Sequence, residues 1–220
     1  MAIFDVIGPI MIGPSSSHTA GAARIGYFAR KIYNKPFDFV EINLYNSFSE
    51  TGKGHGTDIA ILGGLLGFAP DDSRILRAYQ YAAEQNLRFK INWKGIDEDL
   101  PENSAKITFY GKDTEFFVIG SSIGGGKVEI ININNYPVKI SGKHDALVVL
   151  AFDVPGIVAY VAGLIARSGI NIASMDVERD SSIGEALMVI KLDSEFPDRE
   201  LNKMLKHENI KDVIKLKRLR

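Results

Sequence analysis

Two histidines stand in loops that are rich in glycine and hydroxyl groups, and each loop leads into a helical pattern. His18 lies in the run 13–21, where three serines precede the ring and a threonine follows it. His55 lies in the run 51–58. An imidazole can move a proton near neutral pH, and a helix N-terminus suits a carboxylate or a phosphate. The two loops together predict a proton-transfer site for an anionic substrate, although each alone is also typical of a helix cap or a flexible loop.

Other polar groups in these loops could hold such a substrate. Lys53 adds a positive charge, and Asp58 could orient an imidazole. A third glycine-rich run, 121–127, predicts either a tight turn or an anion-binding nest. No phosphate-binding Walker motif or H-E-x-x-H motif occurs in the sequence. The remaining histidines, His144 and His207, are expected on the surface.

The elements before residue 141 predict a mixed α/β domain. Apolar residues alternate in the strand at 37–48, and the helix at 73–85 is expected to bury Ile75, Leu76, Tyr79 and Ala83. The segment 2–12 predicts a first strand or loop, and 51–56 predicts a polar loop. The other predicted elements are helices at 19–31 and 57–66, strands at 88–93, 106–110, 115–121 and 127–133, and hairpin turns at 111–113 and 134–137.

After a polar break at 141–143, the pattern predicts the order β-α-β-β-α-β. The predicted strands are 146–152, 171–179, 185–193 and 210–216, and the predicted helices are 156–168 and 198–207. This order is typical of a ferredoxin-like domain, in which both helices cover one face of a four-stranded antiparallel sheet. The other face would then pair with a second copy or another domain. The fold class is therefore α+β, with an N-terminal α/β domain at 1–141 and a ferredoxin-like domain at 144–220.

Composition narrows the possible functions. The 220 residues include 26 Lys and Arg against 27 Asp and Glu, a formal charge of −1, which argues against a nucleic acid or a membrane as partner. The absence of cysteine excludes a cysteine nucleophile, a thiolate zinc site and an iron–sulfur cluster ligated by this chain itself. No apolar stretch is long enough to span a bilayer, and no secretory signal is evident. These features predict a soluble, cytoplasmic protein.

The three motifs resemble a known family. The runs 13–21, 51–58 and 122–126 resemble the β chain of bacterial iron–sulfur-dependent L-serine dehydratase, and 153–175 resembles part of an ACT domain. In two-chain members of that family, the partner α chain carries the cysteines that hold a [4Fe–4S] cluster. The N-terminal domain is also similar to an extra substrate-binding domain of some 3-phosphoglycerate dehydrogenases. The G-x-G-x-x-G fingerprint of a dehydrogenase is missing from this chain.

This resemblance implies the conversion of L-serine to pyruvate and ammonia. It implies that His18 and His55 are catalytic, with His55 favoured as the base and the choice between them open. The α chain would supply the cluster, whose iron is the Lewis acid for the serine hydroxyl, and this chain would hold no metal. The implied substrate-binding residues are Ser15, Ser16, Ser17, Thr19, Lys53, Asp58, Gly124 and Gly125.

The resemblance also implies a regulatory ACT domain that binds an amino acid and associates with a second copy. Its implied effector-binding residues are Asp153, Pro155, Gly156, Asn171 and Ile172. From the residues alone, the turn at 153–156 is equally typical of an ordinary connection between a strand and a helix. A second hypothesis is a stand-alone amino-acid sensor without catalysis, which a neighbouring gene for a cysteine-bearing partner chain would argue against.

Overall fold

The computed structural model describes residues 10–112 and 114–219. The chain divides into two compact units, of which the first ends at Asn135 and the second begins at Tyr136. The predicted domain boundary, between residues 141 and 144, lies one strand further along and stays a prediction. Of the predicted first strand or loop at 2–12, residues 2–9 lie outside the described residues.

The described part of the first unit contains a sheet of five strands. These are β1 (Phe39–Asn46), β2 (Phe89–Trp93), β3 (Asn103–Gly111), β4 (Thr114–Gly124) and β5 (Lys127–Ile133). Their hydrogen-bonding order is β2-β1-β3-β4-β5. β1 and β2 run parallel, and the other neighbours run antiparallel. All five were predicted, and the alternation in β1 buries Val40, Ile42 and Leu44 completely.

The helices of this unit connect and cover the strands. A π-helical turn, Ser16–Gly21, continues directly into α1, which packs against β3, β4 and β5. A 3-10 helix, Ser73–Arg77, precedes α5. The α-helices are α1 (Ala22–Ile32), α2 (Ser47–Glu50), α3 (Gly52–His55), α4 (Thr57–Leu65) and α5 (Ala78–Glu84).

Glycine brings α1 and α4 into backbone contact. A β-carbon added at Gly26 would lie 2.2 Å from the carbonyl oxygen of Ile61, and one added at Gly64 would lie 1.9 Å from that of Ala23. Neither position has room for a side chain. Near the starts of the two helical segments, Thr19 Oγ1 donates to the carbonyl of His55 (3.3 Å). The loops that carry the two histidines therefore meet on one side of the molecule.

Three local predictions are wrong. The strand predicted through residue 48 ends at Asn46, where φ turns to 52°, and residues 47–55 form α2 and α3 instead of a strand end and a loop. The helix predicted at 73–85 begins as a 3-10 turn, so the buried residues are Ile75, Ala78 and Ala82. Leu76 and Tyr79, predicted to be buried, are 65% and 45% exposed, because a 3-10 helix has three residues per turn. Ala83, also predicted to be buried, is exposed as well.

The turn predicted at 134–137 is shorter than expected. Asn134 takes a left-handed conformation with φ of 50°, which asparagine tolerates better than most residues. A further strand, β6 (Tyr136–Ile140), begins two residues later. The hairpin turn predicted at 111–113 includes residue 113, which lies outside the described residues.

The second unit has the predicted βαββαβ order. Its elements are β7 (Asp145–Phe152), α6 (Ile157–Arg167), β8 (Ile172–Asp180), β9 (Glu185–Leu192), α7 (Asp198–Met204) and β10 (Ile210–Leu216). The antiparallel sheet has the order β10-β7-β9-β8. Its core contains residues from the helices and from alternate strand positions, such as Val149, Val161 and Met188. The mixed fold class is thereby confirmed.

The centre of the other face of this second sheet is also buried. Val148, Leu187 and Val189 alternate with the core positions and are at most 4% exposed. β6 lies against β8 and β9 within the same unit. The predicted pairing of this face with a second copy or another domain stays a prediction. The two edge strands of the described sheet are β10 and β8.

The helix contact gives a stability prediction. Gly64→Ala should lower the free energy of unfolding by about 1–3 kcal/mol or more, because overpacking forces the two backbones apart. Gly163→Ala, in α6, is the matched control: its added β-carbon would meet only the flexible end of Arg167, at 3.3 Å. Urea unfolding of both variants measures the difference. Equal stability of Gly64→Ala and wild type would contradict the close helix contact.

Candidate active site

His18 is held within the π-helical turn. Ser15 caps this turn, with its Oγ accepting from the backbone N–H of His18 (3.1 Å) and its carbonyl accepting from the N–H of Thr19 (2.9 Å). The His18 side chain is only 8% exposed, and its ring meets Phe48 edge-on. A π-helical turn is rare and is frequent at functional sites. Here it turns the imidazole inward, towards α2.

The contacts of His18 determine which ring nitrogen carries the proton. Its Nε2 lies 3.0 Å from Thr51 Oγ1 and 3.3 Å from both the carbonyl oxygen and Oγ of Ser47. Thr51 Oγ1 already donates to the Ser47 carbonyl (3.0 Å), so it accepts from Nε2. Because a carbonyl oxygen can only accept, Nε2 is the protonated nitrogen. Nδ1, 3.2 Å from Ser17 Oγ, then accepts the hydroxyl proton of Ser17.

This environment keeps His18 neutral. Burial lowers the pKa of the His18 imidazole below 6.5, and the neighbouring charge of His55 lowers it further. The hydrogen bond to the Ser47 carbonyl acts in the opposite direction. The two rings lie with their centroids 4.9 Å apart, so two charged imidazoles would repel each other at close range.

His55 is held in the opposite tautomer. It ends α3, and its Nδ1 lies 3.0 Å from the carbonyl oxygen of Thr51. Since that oxygen only accepts, Nδ1 carries the proton and Nε2 carries the lone pair. Among the described residues, none forms a hydrogen bond with this Nε2. The arrangement leaves one neutral imidazole with a free basic nitrogen beside a second imidazole whose nitrogens are both engaged.

The predicted substrate-binding hydroxyls gather around His18. Ser15 Oγ lies 3.3 Å from Ser17 Oγ, and Ser17 in turn contacts the ring. Ser16 begins the π-helical turn, and the hydroxyl of Thr19 is tied to the backbone of His55. Their contact with a substrate stays a prediction.

Lys53 and Asp58 lie further out. Lys53 Nζ stands 5.3 Å above the ring of Trp93, a cation–π distance. Asp58 was expected to orient an imidazole, but its carboxylate accepts a hydrogen bond from Tyr79 (2.7 Å). Burial raises the pKa of the Tyr79 hydroxyl, and this hydrogen bond raises it further. The predicted role of Asp58 as an imidazole partner is therefore wrong, while binding of substrate by Lys53 and Asp58 stays a prediction.

The third glycine run forms a tight hairpin turn. Gly124 pairs with Lys127, and Gly125 and Gly126 have φ of 60° and 71°, which a type I′ turn requires. Arg24 of α1 donates to the Gly126 carbonyl (2.7 Å). The turn geometry accounts for the glycines by itself, and substrate binding by Gly124 and Gly125 stays a prediction.

Sequence reasoning missed three side chains at the site. Ser47 and Thr51 contact His18 because they lie one helical turn apart on residues that had been predicted as strand and loop. Ser122 meets Gly21, where an added β-carbon would lie 2.1 Å from its Oγ. Ser122 Oγ is buried and has no hydrogen-bond partner among the described residues. Only the spacing of Ser47 and Thr51 could have signalled a shared contact.

The predicted effector residues lie at the start of α6 and of β8. Gly156, with φ of 92°, precedes α6 directly and follows Pro155, and Ile172 begins β8. The Asp153 carboxylate accepts from Arg179 Nε (2.7 Å), and Asn171 Nδ2 donates to Asp193 (3.0 Å). Both polar side chains therefore have partners within the chain, and their effector role stays a prediction.

Residues 10–112 and 114–219 contain no group of three or more histidine, aspartate, glutamate or cysteine side chains placed to hold a metal ion. No helix within the same residues is long and apolar enough to cross a membrane.

Burial of neutral His18 gives a pH prediction. The unfolded chain, with a histidine pKa near 6.5, binds the proton more tightly than the folded chain. The stability from this burial is therefore complete above that pH and is lost as the pH falls below it. In urea unfolding between about pH 7.5 and 5.5, wild type should lose stability more steeply than His18→Gln, and His144→Gln should behave as wild type. An equally steep loss in His18→Gln would contradict this assignment.

Comparison with known proteins gives the family. Residues 2–118 match the family model "Serine dehydratase beta chain", and residues 146–206 match "ACT domain". A probable L-serine dehydratase β chain of Bacillus subtilis is 43% identical over 98% of this chain and 97% of its own length. An L-serine dehydratase β chain of Peptoniphilus asaccharolyticus is 39% identical over 86% of each chain.

The resemblance to another enzyme covers only part of that enzyme. A D-3-phosphoglycerate dehydrogenase of Synechocystis is 25% identical over 89% of this chain but over only 35% of its own length. The two β chains, in contrast, are matched over most of their length. This chain therefore belongs to the family of L-serine dehydratase β chains and carries a C-terminal ACT domain.

Proposed function

We propose that this chain works with an α chain to convert L-serine into pyruvate and ammonia. Family membership supports this function. The observation that carries it is the pair of neighbouring imidazoles in opposite tautomers, 4.9 Å apart. A reaction that begins with removal of a weakly acidic α-proton needs a neutral base with a free lone pair.

His55 is the base in this proposal. Its Nε2 carries the lone pair and takes the α-proton of serine, while Nδ1–H stays on the Thr51 carbonyl and shares the new positive charge. The electrons of the C–H bond form a double bond to the β-carbon, and the hydroxyl leaves that carbon as hydroxide. The resulting aminoacrylate tautomerises to an imine, and water hydrolyses it to pyruvate and ammonia.

His18 is a neutral support for the base. Its Nε2–H binds Thr51 and Ser47, and its Nδ1 accepts from Ser17, so neither nitrogen is available to the substrate. Because burial lowers the pKa of His18, its ring stays neutral beside the cation that forms on His55. The hydroxyls of Ser15, Ser16, Ser17 and Thr19 and the charge of Lys53 are the groups proposed to bind the substrate carboxylate. Asp58, Gly124 and Gly125 are proposed to contact other parts of the substrate.

The [4Fe–4S] cluster belongs to the α chain in this proposal. The residues of this chain do not fit it: the sequence has no cysteine, and the described residues contain no cluster of alternative metal ligands. The ACT domain would bind an amino acid at residues 153–156, 171 and 172 and contact a second copy through its sheet face or along an edge strand. The metabolic relatives support a cytoplasmic location for the complex.

The base assignment predicts unequal effects of mutation. In the complex with the α chain, His55→Ala should lower kcat for L-serine by about 10²-fold or more. His55 lies at the end of a short helix, so the melting temperature should change little. His144→Ala, at an exposed position, is the control and should keep full turnover. Near-wild-type turnover of His55→Ala, measured by pyruvate release, would refute the assignment.

A second prediction concerns the need for the α chain in turnover. The purified full-length chain alone should fold and release no pyruvate from L-serine, and adding the α chain under anaerobic conditions should restore turnover. Circular dichroism and a pyruvate assay measure these two results. Turnover by the single chain would contradict the need for a partner. Serine binding without turnover in the presence of the α chain would favour the sensor hypothesis.

A further inference from the structure

Asn46 stands where β1 ends and α2 begins. Its backbone has φ of 52° and ψ of −134°, and its side chain is 7% exposed. Positive φ is uncommon outside glycine and persists where surrounding contacts hold it. The chain therefore leaves the sheet, immediately before the segment that contacts both imidazoles, through a residue that needs support.

The side-chain amide of Asn46 supplies that support. Its Nδ2 donates to three carbonyl oxygens at 2.9–3.1 Å, and its Oδ1 accepts from the backbone N–H of Asp97 (2.7 Å). The three carbonyls belong to Asp97, Leu100 and Pro101. One buried amide thus ties together the loop that connects β2 and β3. An amide presents two N–H donors and an acceptor, whereas a hydroxyl has a single donor and a carboxylate has none.

Backbone hydrogen bonds continue the same connection on both sides. The N–H of Asn46 donates to the Gly95 carbonyl, and the N–H of Ser47 donates to the Glu102 carbonyl, each at 2.8 Å. Ser49 Oγ accepts from the N–H of Gly95 (2.9 Å). The start of α2 is therefore fixed relative to the loop that the amide organises.

The segment fixed in this way supplies hydrogen-bond acceptors to the rings of both histidines. Ser47, the next residue, presents its carbonyl oxygen and Oγ to His18 Nε2. Thr51, one turn further, presents its Oγ1 to the same nitrogen and its carbonyl to His55 Nδ1. All of these acceptors follow Asn46 within five residues.

We propose that Asn46 is a positioning residue: its amide holds the end of β1 in the conformation that aims Ser47 and Thr51 at the two imidazoles. The effect on turnover rests on the function proposed above, whereas the effect on the tautomers does not. Asn46 acts through these residues and is not assigned a contact with the substrate.

Asn46→Gly tests the proposal because glycine accepts positive φ and removes only the amide. Asn134→Gly is the matched control. Asn134 also has positive φ (50°), and its Oδ1 accepts from the N–H of Phe117 (2.9 Å). In the sheet register, Phe117 lies opposite Thr108, away from the Asn103 end that pairs with Asn46. If Asn46→Gly does not fold, Asn46→Ser replaces it in the same test, because the serine hydroxyl can keep one donor hydrogen bond.

Ring-nitrogen NMR of the full chain reads the tautomers without the α chain. The chain has four histidines, and His18→Asn and His55→Asn assign the two signals of interest. In wild type, His18 should show a protonated Nε2 and His55 a protonated Nδ1. In Asn46→Gly, both rings should populate mixed tautomers, whereas Asn134→Gly should match wild type.

Turnover of the complex gives the second readout. Asn46→Gly should lower kcat by about 10- to 100-fold, the range expected for misplaced catalytic groups, with a smaller change in KM. Wild-type tautomers in Asn46→Gly, with or without a loss of melting temperature, would overturn the positioning role. Mixed tautomers in Asn46→Gly together with full activity of His55→Ala would uphold that role and refute the proposed function instead.

Discussion

The close contact between α1 and α4 is the constraint on which the candidate site depends. Gly26 and Gly64 have no room for a β-carbon because each faces a carbonyl of the other helix. Each of these helices continues from a segment that carries one histidine. A wider separation of the helices would move His18 away from His55 and break the hydrogen bond from Thr19 to the His55 backbone. The distance between the two histidine loops therefore depends on two glycines in the helices that follow these loops.

Backbone carbonyls decide the tautomers of the two histidines, and with them the roles proposed for the two rings. The sequence places an imidazole in each of two similar loops, and nothing in residue type distinguishes a base from a support. The carbonyls of Ser47 and Thr51 do so, because an oxygen that can only accept fixes the proton on the nitrogen that faces it. The two carbonyls lie one helical turn apart in the chain, and they face different nitrogens of the two rings. This geometry leaves one imidazole lone pair without a hydrogen bond from any described residue, on Nε2 of His55.

Regular periodicity predicted the sheets and the second unit well, because alternating burial is a local property of strands. β1 and the βαββαβ order are examples. The errors fall where the backbone departs from regular repeats: the positive φ at Asn46 and the 3-10 turn at Ser73–Arg77. Neither of these follows from the polarity of neighbouring residues. Ser47 and Thr51 were missed for this reason, since their shared face exists only once Asn46 has ended the strand.

The two imidazole rings also differ in how deeply they are buried. His18 is enclosed by the π-helical turn, Phe48 and α2, and its pKa is lowered by that burial. The Thr51 carbonyl accepts from Nδ1 of the less buried ring, His55. Because two imidazolium ions 4.9 Å apart would repel each other, the proposed transfer of a proton to His55 requires a neutral His18. The fold thus gives two chemically equivalent side chains different environments by placing them at different depths.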